Sequence, residues 1–205
     1  MSVKVKICGT TNLPDAQAAV AAGADMVGFI FADASPRRVS IETAAEIALQ
    51  LPEHVVKVGV FVNAPADFVA RAIHECRLNL LQFHGDEPPA FCTQFGVMSM
   101  KAFRVRDAQS LDTLLEYPTD AWLLDAFADG KAGGTGKTFN WDLAVAAQKF
   151  GKPIFLAGGL TPENVADAVR RVRPFAVDVS SGVEAAPGKK DHAKVQAFVR
   201  AAKES

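Results

Sequence analysis

The chain has 205 residues, of which 49% are hydrophobic and 22% are charged, and its formal net charge is -1. This balance is typical of a globular protein, and the near-zero charge without charge blocks argues against a nucleic-acid or membrane-surface partner. The three cysteines, Cys8, Cys76 and Cys92, form no CxxC pair and no cysteine–histidine cluster with metal-ligand spacing, so we expect a reducing environment and no bound metal.

Short apolar segments alternate along the chain with longer segments of helical pattern. The pattern predicts eight strands, at residues 3–8, 26–31, 55–62, 80–83, 98–103, 121–125, 154–157 and 175–179. A helix is predicted after each strand, at residues 12–23, 40–51, 65–76, 87–95, 107–115, 141–150, from 161 onward, and 191–203. Asn12 is the expected N-cap of the first helix, and Pro162 is expected at the first position of the seventh.

Eight strand–helix pairs predict an α/β fold, a (β/α)₈ TIM barrel forming a single domain over residues 1–205. The strands are read as apolar on both faces, which is typical of buried parallel strands. An open doubly wound sheet is the structural alternative.

The chain shows no targeting or membrane signal. The first nine residues contain no apolar segment of a signal peptide, and no apolar run approaches the ~18 residues that a membrane-spanning helix needs. We therefore expect a cytoplasmic protein that is a monomer, with a homodimer as the alternative.

Two predicted loops have the composition of a phosphate site. In a TIM barrel the active site lies at the carboxyl ends of the strands, and phosphate usually binds to the loops after strands seven and eight. Here those loops contain Gly158 and Gly159, and Ser180, Ser181 and Gly182. Glycines let the backbone approach a ligand and present N–H groups to an anion, so little basic charge is needed.

Other strand ends carry candidate chemical groups. Cys8 ends strand one and is either a small packing residue or a general base. Asp125 and Asp178 end strands six and eight, where each carboxyl group is either an acid or a loop cap. His84 follows strand four, and Arg37 lies in the loop after strand two, where it is suited to a carboxylate ligand or to solvent. Spacing alone leaves these alternatives open.

Residues 133–138 (GGTGKT) invite comparison with a phosphate-binding P-loop. The P-loop pattern requires glycine at position 131, which is Lys131, and the segment lies about ten residues beyond the strand end. A glycine-rich loop that closes over the active site is the better interpretation. We read Cys76 and Cys92, which fall within predicted helices, as packing residues.

Six motifs in order along the chain together resemble the phosphoribosylanthranilate isomerase family. They are residues 6–9 (KICG), 82–85 (QFHG), 133–139 (GGTGKTF), 157–160 (AGGL), 178–184 (DVSSGVE) and 187–191 (PGKKD). The resemblance extends from the first strand to the last helix, and none of its motif positions departs from the family pattern.

The resemblance implies an Amadori rearrangement in tryptophan biosynthesis, by general acid–base catalysis and without a cofactor or metal. It implies that Asp125 is the general acid and Cys8 the general base. By the same resemblance Arg37 holds the anthranilate carboxylate, Asp178 contacts sugar hydroxyls, and the glycine and serine loops hold the phosphate. His84 is a further candidate for substrate binding.

Two other functions are compatible with this pattern. A second sugar-phosphate isomerase, epimerase or indole-glycerol-phosphate synthase would need metal ligands or a lysine pair at the strand ends, which the chain does not present. A barrel that binds a phosphate ligand without catalysis would not need both Cys8 and Asp125, and an isomerase assay separates the two.

Overall fold

Eight parallel strands close into a ring in the computed structural model, which describes residues 2–105, 107–126 and 141–205. The strands are β1 (Lys4–Cys8), β2 (Met26–Ile30), β3 (Val56–Phe61), β4 (Leu80–Phe83), β5 (Met98–Val105), β6 (Ala121–Ala126), β7 (Ile154–Leu156) and β8 (Ala176–Val179). Each strand pairs with the next in sequence, and β8 pairs with β1. This closed barrel confirms the predicted fold and excludes the open sheet.

Helices follow the strands and cover the outside of the barrel. They are α1 (Leu13–Ala21), α2 (Ile41–Ala48), α3 (Ala66–Cys76), α4 (Pro89–Thr93), α5 (Trp141–Ala147), α6 (Val165–Val172) and α7 (His192–Lys203). Asn12 caps α1 as predicted, since its side chain accepts a hydrogen bond from the backbone of Asp15. No helix in the described ranges is long and apolar enough to cross a membrane.

Three local features differ from the sequence predictions. The helix after β5 is a 3-10 helix at Gln109–Glu116. The helix after β7 begins at Val165, so Pro162 precedes the helix. After β8 comes a short 3-10 turn (Ser181–Val183) and a small antiparallel pair, β9 (Glu184–Ala186) and β10 (Lys189–Lys190), which the sequence pattern did not predict.

Two apolar layers hold the barrel together. One fills the interior and includes Met26, Val58, Met100, Leu123 and Phe155, and the larger one lies between strands and helices. The side chains of a strand alternate between these layers, because successive residues point to opposite faces. That alternation decides which side chains at the strand ends face the axis.

The predicted glycine-rich loop at residues 133–139 lies outside the described residues, as do residues 106, 127–132 and 140. The barrel therefore positions the candidate site through the loops that follow the other strands.

Candidate active site

The barrel interior is polar at its carboxyl-terminal end, on strands β1 and β8. Lys6 pairs in register with Met26 on one side and with Asp178 on the other, so all three lie at one level and point inward. The Lys6 ammonium is fully buried and donates a 2.9 Å hydrogen bond to Asp178 Oδ1. The sequence interpretation of both strand faces as apolar is wrong here, because this ion pair occupies an interior position.

Cys8 lies two residues beyond Lys6 on the same face of β1, and the residue is 5% exposed. The thiol packs against Gly28 on β2, where a Cβ atom would lie only 2.9 Å from Sγ. Burial raises the pKa of the Cys8 thiol above its usual value, and the neighbouring Lys6 ammonium opposes that effect. Cys8 is thus a thiol at a strand end whose ionisation depends on adjacent charges.

Asp125 lies one residue before the end of β6, across the barrel mouth from Cys8 and beside His84. Two strands, β7 and β8, separate β6 from β1 on the shorter path around the barrel. His84 Nε2 lies 3.3 Å from Asp125 Oδ2, and its Nδ1 lies 2.9 Å from Gln82 Nε2. The two nitrogens of the His84 ring are therefore held between Gln82 and Asp125.

A buried ion pair fixes the loop that carries His84. Lys101 on β5 contacts Glu87 at 3.2 Å and the carbonyl of Gly85 at 2.5 Å. Glu87 accepts hydrogen bonds from the backbone N–H groups of Asn63 and Gly85. The loops after β3 and β4 are therefore joined through one carboxylate, which restricts the position of His84.

Arg37 lies in the loop after β2 and forms a two-point ion pair with Glu184. Its Nε donates to Oε1 at 2.8 Å and one Nη donates to Oε2 at 2.7 Å, while Lys190 contacts Oε1 at 3.0 Å. Burial acts to raise the pKa of Glu184, but hydrogen bonding from Arg37 and Lys190 outweighs it and lowers that pKa below its usual value. The donors of the other Nη are not used by Glu184, so Arg37 is oriented and retains capacity for an anion.

The two candidate phosphate loops pack directly against each other. A Cβ atom on Gly182 would lie 2.0 Å from the carbonyl oxygen of Leu160, so only glycine fits at this contact. Gly158 and Gly159 both have positive φ, and the Asn164 side chain bonds to the carbonyl of Gly159 and to the N–H of Thr161. The loops after β7 and β8 consequently form one continuous surface.

The Ser180 hydroxyl adds a polar group beside these loops. Its oxygen is buried and, within the part of the chain that the structure describes, has no hydrogen-bond partner. Ser181 follows it at the start of the 3-10 turn. A buried hydroxyl without a partner is costly, and it suits a ligand oxygen.

Sequence reasoning missed Lys6, Glu184 and Lys190 as members of the site. Lys6 could have been found from the period-two alternation of β1, since it shares a face with Cys8. Glu184 and Lys190 lie on β9 and β10, which had no recognisable strand pattern, so no sequence signal placed them beside Arg37. Cys76 and Cys92 are buried away from these groups, as the packing interpretation required, and burial raises their pKa values to about 12 and about 11.

The described part of the chain contains no cluster of three or more histidine, cysteine or acidic side chains that could hold a metal ion. The charged groups near Cys8 are the side chains of Lys6, Asp178, Arg37 and Lys190, and Glu184 forms ion pairs with the last two. Three cations and two anions leave a small positive excess, which is compatible with an anionic ligand.

Comparisons with known proteins agree on one family. The family model described as N-(5'phosphoribosyl)anthranilate (PRA) isomerase matches residues 5–201. The N-(5'-phosphoribosyl)anthranilate isomerase of Geobacter sulfurreducens is 56% identical over 201 residues, covering 98% of this chain and 98% of that protein.

Solved structures give the same result. The crystal structure of phosphoribosyl anthranilate isomerase from Thermotoga maritima superposes with a TM-score of 0.92 at 43% identity, covering 99% of this chain and 100% of that one. A second similar structure, with a TM-score of 0.88, 41% identity and the same coverage, is of a phosphoribosyl anthranilate isomerase in complex with reduced 1-(o-carboxyphenylamino)-1-deoxyribulose 5-phosphate. The chain is thus similar in sequence and in fold to these proteins over almost its whole length.

Proposed function

Because the chain belongs to the N-(5'-phosphoribosyl)anthranilate isomerase family, we propose that its barrel catalyses this isomerisation with Cys8 as general base and Asp125 as general acid. The reaction is the Amadori rearrangement of N-(5-phosphoribosyl)anthranilate to 1-(2-carboxyphenylamino)-1-deoxyribulose 5-phosphate, a step of tryptophan biosynthesis. It changes an aldose derivative into a ketose derivative without loss of any atom. The chain is accordingly an isomerase with a small sugar-phosphate substrate.

One observation carries the assignment of roles: the two proton-transfer groups lie on either side of the candidate phosphate loops. Cys8 ends β1, Asp125 is the last residue but one of β6, and the strands between them, β7 and β8, carry the two loops. A substrate whose phosphate is bound between those strands extends its sugar toward both groups. Two separate groups can therefore act on one ligand without moving it.

The first step requires an acid. Asp125 in its protonated form gives a proton to the furanose ring oxygen, the bond from that oxygen to C1 breaks, and the nitrogen lone pair forms a C1–N double bond. The product is an open-chain protonated imine. His84, at 3.3 Å from the carboxyl group, orients it for this transfer.

The second step requires a base. The Cys8 thiolate removes the proton from C2, the C–H electron pair forms a C1–C2 double bond, and the imine electrons return to nitrogen. The resulting enolamine loses the proton of the C2 hydroxyl and gains one at C1, which gives the ketone. The substrate provides its own electron sink, and each acid–base step typically contributes about 10²–10⁴-fold to the rate.

Binding groups complete the proposal. Arg37, already fixed by Glu184, offers its remaining Nη donors to the anthranilate carboxylate. The phosphate is bound by the loops containing Gly158 and Gly159 and by Ser180, Ser181 and Gly182. Asp178, the partner of Lys6, accepts hydrogen bonds from sugar hydroxyls.

The test is consumption of phosphoribosylanthranilate, followed by fluorescence, with purified wild type and three variants. We expect Cys8→Ala and Asp125→Asn each to abolish measurable turnover with unchanged circular dichroism. Cys76→Ala is the matched control, because it also removes a buried thiol but one that bonds to the carbonyl of Ile41, away from the site. A Cys8→Ala protein with near-wild-type turnover would overturn the base assignment.

The same assay distinguishes the isomerase from a phosphate-binding barrel without catalytic activity, because the wild type of such a barrel would show no turnover. Our remaining expectations are a single domain over residues 1–205, catalysis without a cofactor and a cytoplasmic location without nucleic-acid or membrane partners. For the assembly we expect a monomer, with a homodimer as the alternative, and light scattering of the purified protein distinguishes them.

A further inference from the structure

The Lys6 ammonium occupies an unusual place, since it is a charged group inside the barrel core. Its side chain is fully buried beside apolar interior residues that include Met26 and Ala176. Transfer of an ammonium group from water to such a place is strongly unfavourable unless it is paired and hydrogen-bonded. The hydrogen bond to Asp178 satisfies one of its three donors.

The Lys6 side chain also lies near the Cys8 thiol. The point where a Cβ atom of Gly28 would lie is 2.9 Å from Cys8 Sγ and 3.3 Å from Lys6 Cε, so both side chains meet over this glycine. Lys6 and Cys8 also share the inward face of β1, two residues apart, and the ammonium charge favours the thiolate over the thiol. Gly28 has no side chain to separate them.

The charged groups that face Cys8 come from four elements. Within the described residues they are Lys6 on β1, Asp178 on β8, Lys190 on β10 and Arg37 in the loop after β2. Glu184 accepts hydrogen bonds from both Arg37 and Lys190. Lys6 is thus the cation on the same strand face as the thiol, and the other two cations are held by a separate carboxylate.

We propose that Lys6 is a positioning residue for proton abstraction: its buried ammonium holds Asp178 and Cys8 in one cluster and stabilises the Cys8 thiolate. This inference rests on the proposed function, because proton abstraction is part of that reaction. The effect of Lys6 on the ionisation of Cys8 can nevertheless be measured in the free protein. The thiolate forms when the thiol proton leaves to solvent, and the negative charge on sulfur is then balanced by Lys6. When sulfur accepts the C2 proton from the substrate, the ammonium remains paired with Asp178.

A purely structural role for Lys6 gives a different expectation. In that case Lys6 serves only to neutralise Asp178, and the removal of Lys6 from the Asp178→Asn protein would leave the titration of Cys8 unchanged. If Lys6 stabilises the thiolate, its removal raises the pH at which Cys8 ionises, whether or not Asp178 is present. The pH dependence of thiol reactivity therefore separates the two roles.

The experiment measures alkylation of Cys8 by iodoacetamide from pH 6 to 11 in the full-length protein without substrate. Mass spectrometry of the Cys8 peptide gives its rate, and the Cys76 peptide in the same digest is an internal control. The variants are Lys6→Met, Asp178→Asn, and both together. Lys57→Met is the matched control, because Lys57 is also a buried strand lysine but donates to the carbonyl of Pro52.

We expect Lys6→Met to move the midpoint of Cys8 alkylation upward by at least about one pH unit, a tenfold loss of thiolate below the midpoint. Asp178→Asn should move the midpoint downward, and Lys57→Met should leave it unchanged. If Lys6→Met does not fold, the midpoint of Asp178→Asn is compared with that of the double variant. Neither of these two proteins contains a buried Asp178 carboxylate without its cation, so both are expected to fold. A double variant with the same midpoint as Asp178→Asn refutes the proposal.

Turnover of the same variants distinguishes this inference from the proposed function. We expect Lys6→Met to lower kcat by about tenfold or more while KM changes little, in parallel with the thiol titration. Wild type without isomerase activity would refute the proposed function but leave the titration result standing. Active wild type with an unshifted Lys6→Met midpoint would refute only the role of Lys6.

Discussion

Replacement of Gly182 by alanine tests the contact between the two candidate phosphate loops. The added Cβ atom would lie 2.0 Å from the carbonyl oxygen of Leu160, whereas such atoms are essentially never closer than 3.0 Å. The loops must therefore separate by about 1 Å, because both partners in the contact are backbone and neither can rotate away. Gly182 does not have a positive φ, so the substitution acts through steric contacts and not through backbone strain.

The expected magnitude follows from the cost of overpacking. An extra methyl group in a well-packed site costs about 1–3 kcal/mol. If the separated loops must return to their original contact to bind phosphate, this free energy is subtracted from the free energy of substrate binding. This corresponds to an increase of about 5- to 150-fold in KM. We expect kcat to change by less than about threefold, since Cys8 and Asp125 lie on other strands.

The assay is steady-state fluorescence of substrate consumption together with competition by inorganic phosphate. Gly96→Ala is the matched control, because Gly96 has a φ of 67° and an added Cβ would meet nothing within 4 Å. That control should lower the melting temperature through backbone strain and leave KM unchanged. A Gly182→Ala protein with wild-type KM would refute the inference that the two loops form one phosphate surface.

Two further predictions concern buried groups outside the phosphate loops. Glu184→Gln weakens the two-point ion pair that orients Arg37, so we expect about a tenfold higher KM with little change in kcat, measured by the same fluorescence assay. Equal KM values for variant and wild type would contradict this orienting role. Burial raises the pKa of Cys76 to about 12, so the unfolded chain loses this proton first and stability is lost as pH rises from 9 toward 12. Cys76→Ser removes that titration, and calorimetry should show a smaller fall in melting temperature between pH 8 and 10.5 than in wild type; parallel curves would count against it.

The order of strands and helices could be predicted because each element has its own local signal. The strands are apolar runs, and α1, α2 and α7 begin at residues whose side chains cap them, Asn12, Ser40 and Asp191. The 3-10 helix at Gln109–Glu116 was not predictable in type, since the two helix types share the same residue preferences over short segments.

The candidate site was predictable in its strand-end residues and much less so in their partners. The position of Cys8 and Asp125 at strand ends follows from chain order, and their roles came from the resemblance to a family. The pairing of Lys6 with Asp178 joins residues 172 positions apart, and that of Arg37 with Glu184 spans 147. Contacts of this kind depend on ring closure, about which no local pattern carries information.

The closed ring also has a consequence for biosynthesis. A ribosome releases β1 early, but Asp178 emerges only after most of the chain has been translated, and β8 must then insert beside β1. Until that moment Lys6 lacks its partner Asp178, and the barrel is open between β1 and β7. A nascent chain stalled before β8 therefore exposes an unpaired strand edge, which is the kind of surface that chaperones recognise and that leads to aggregation.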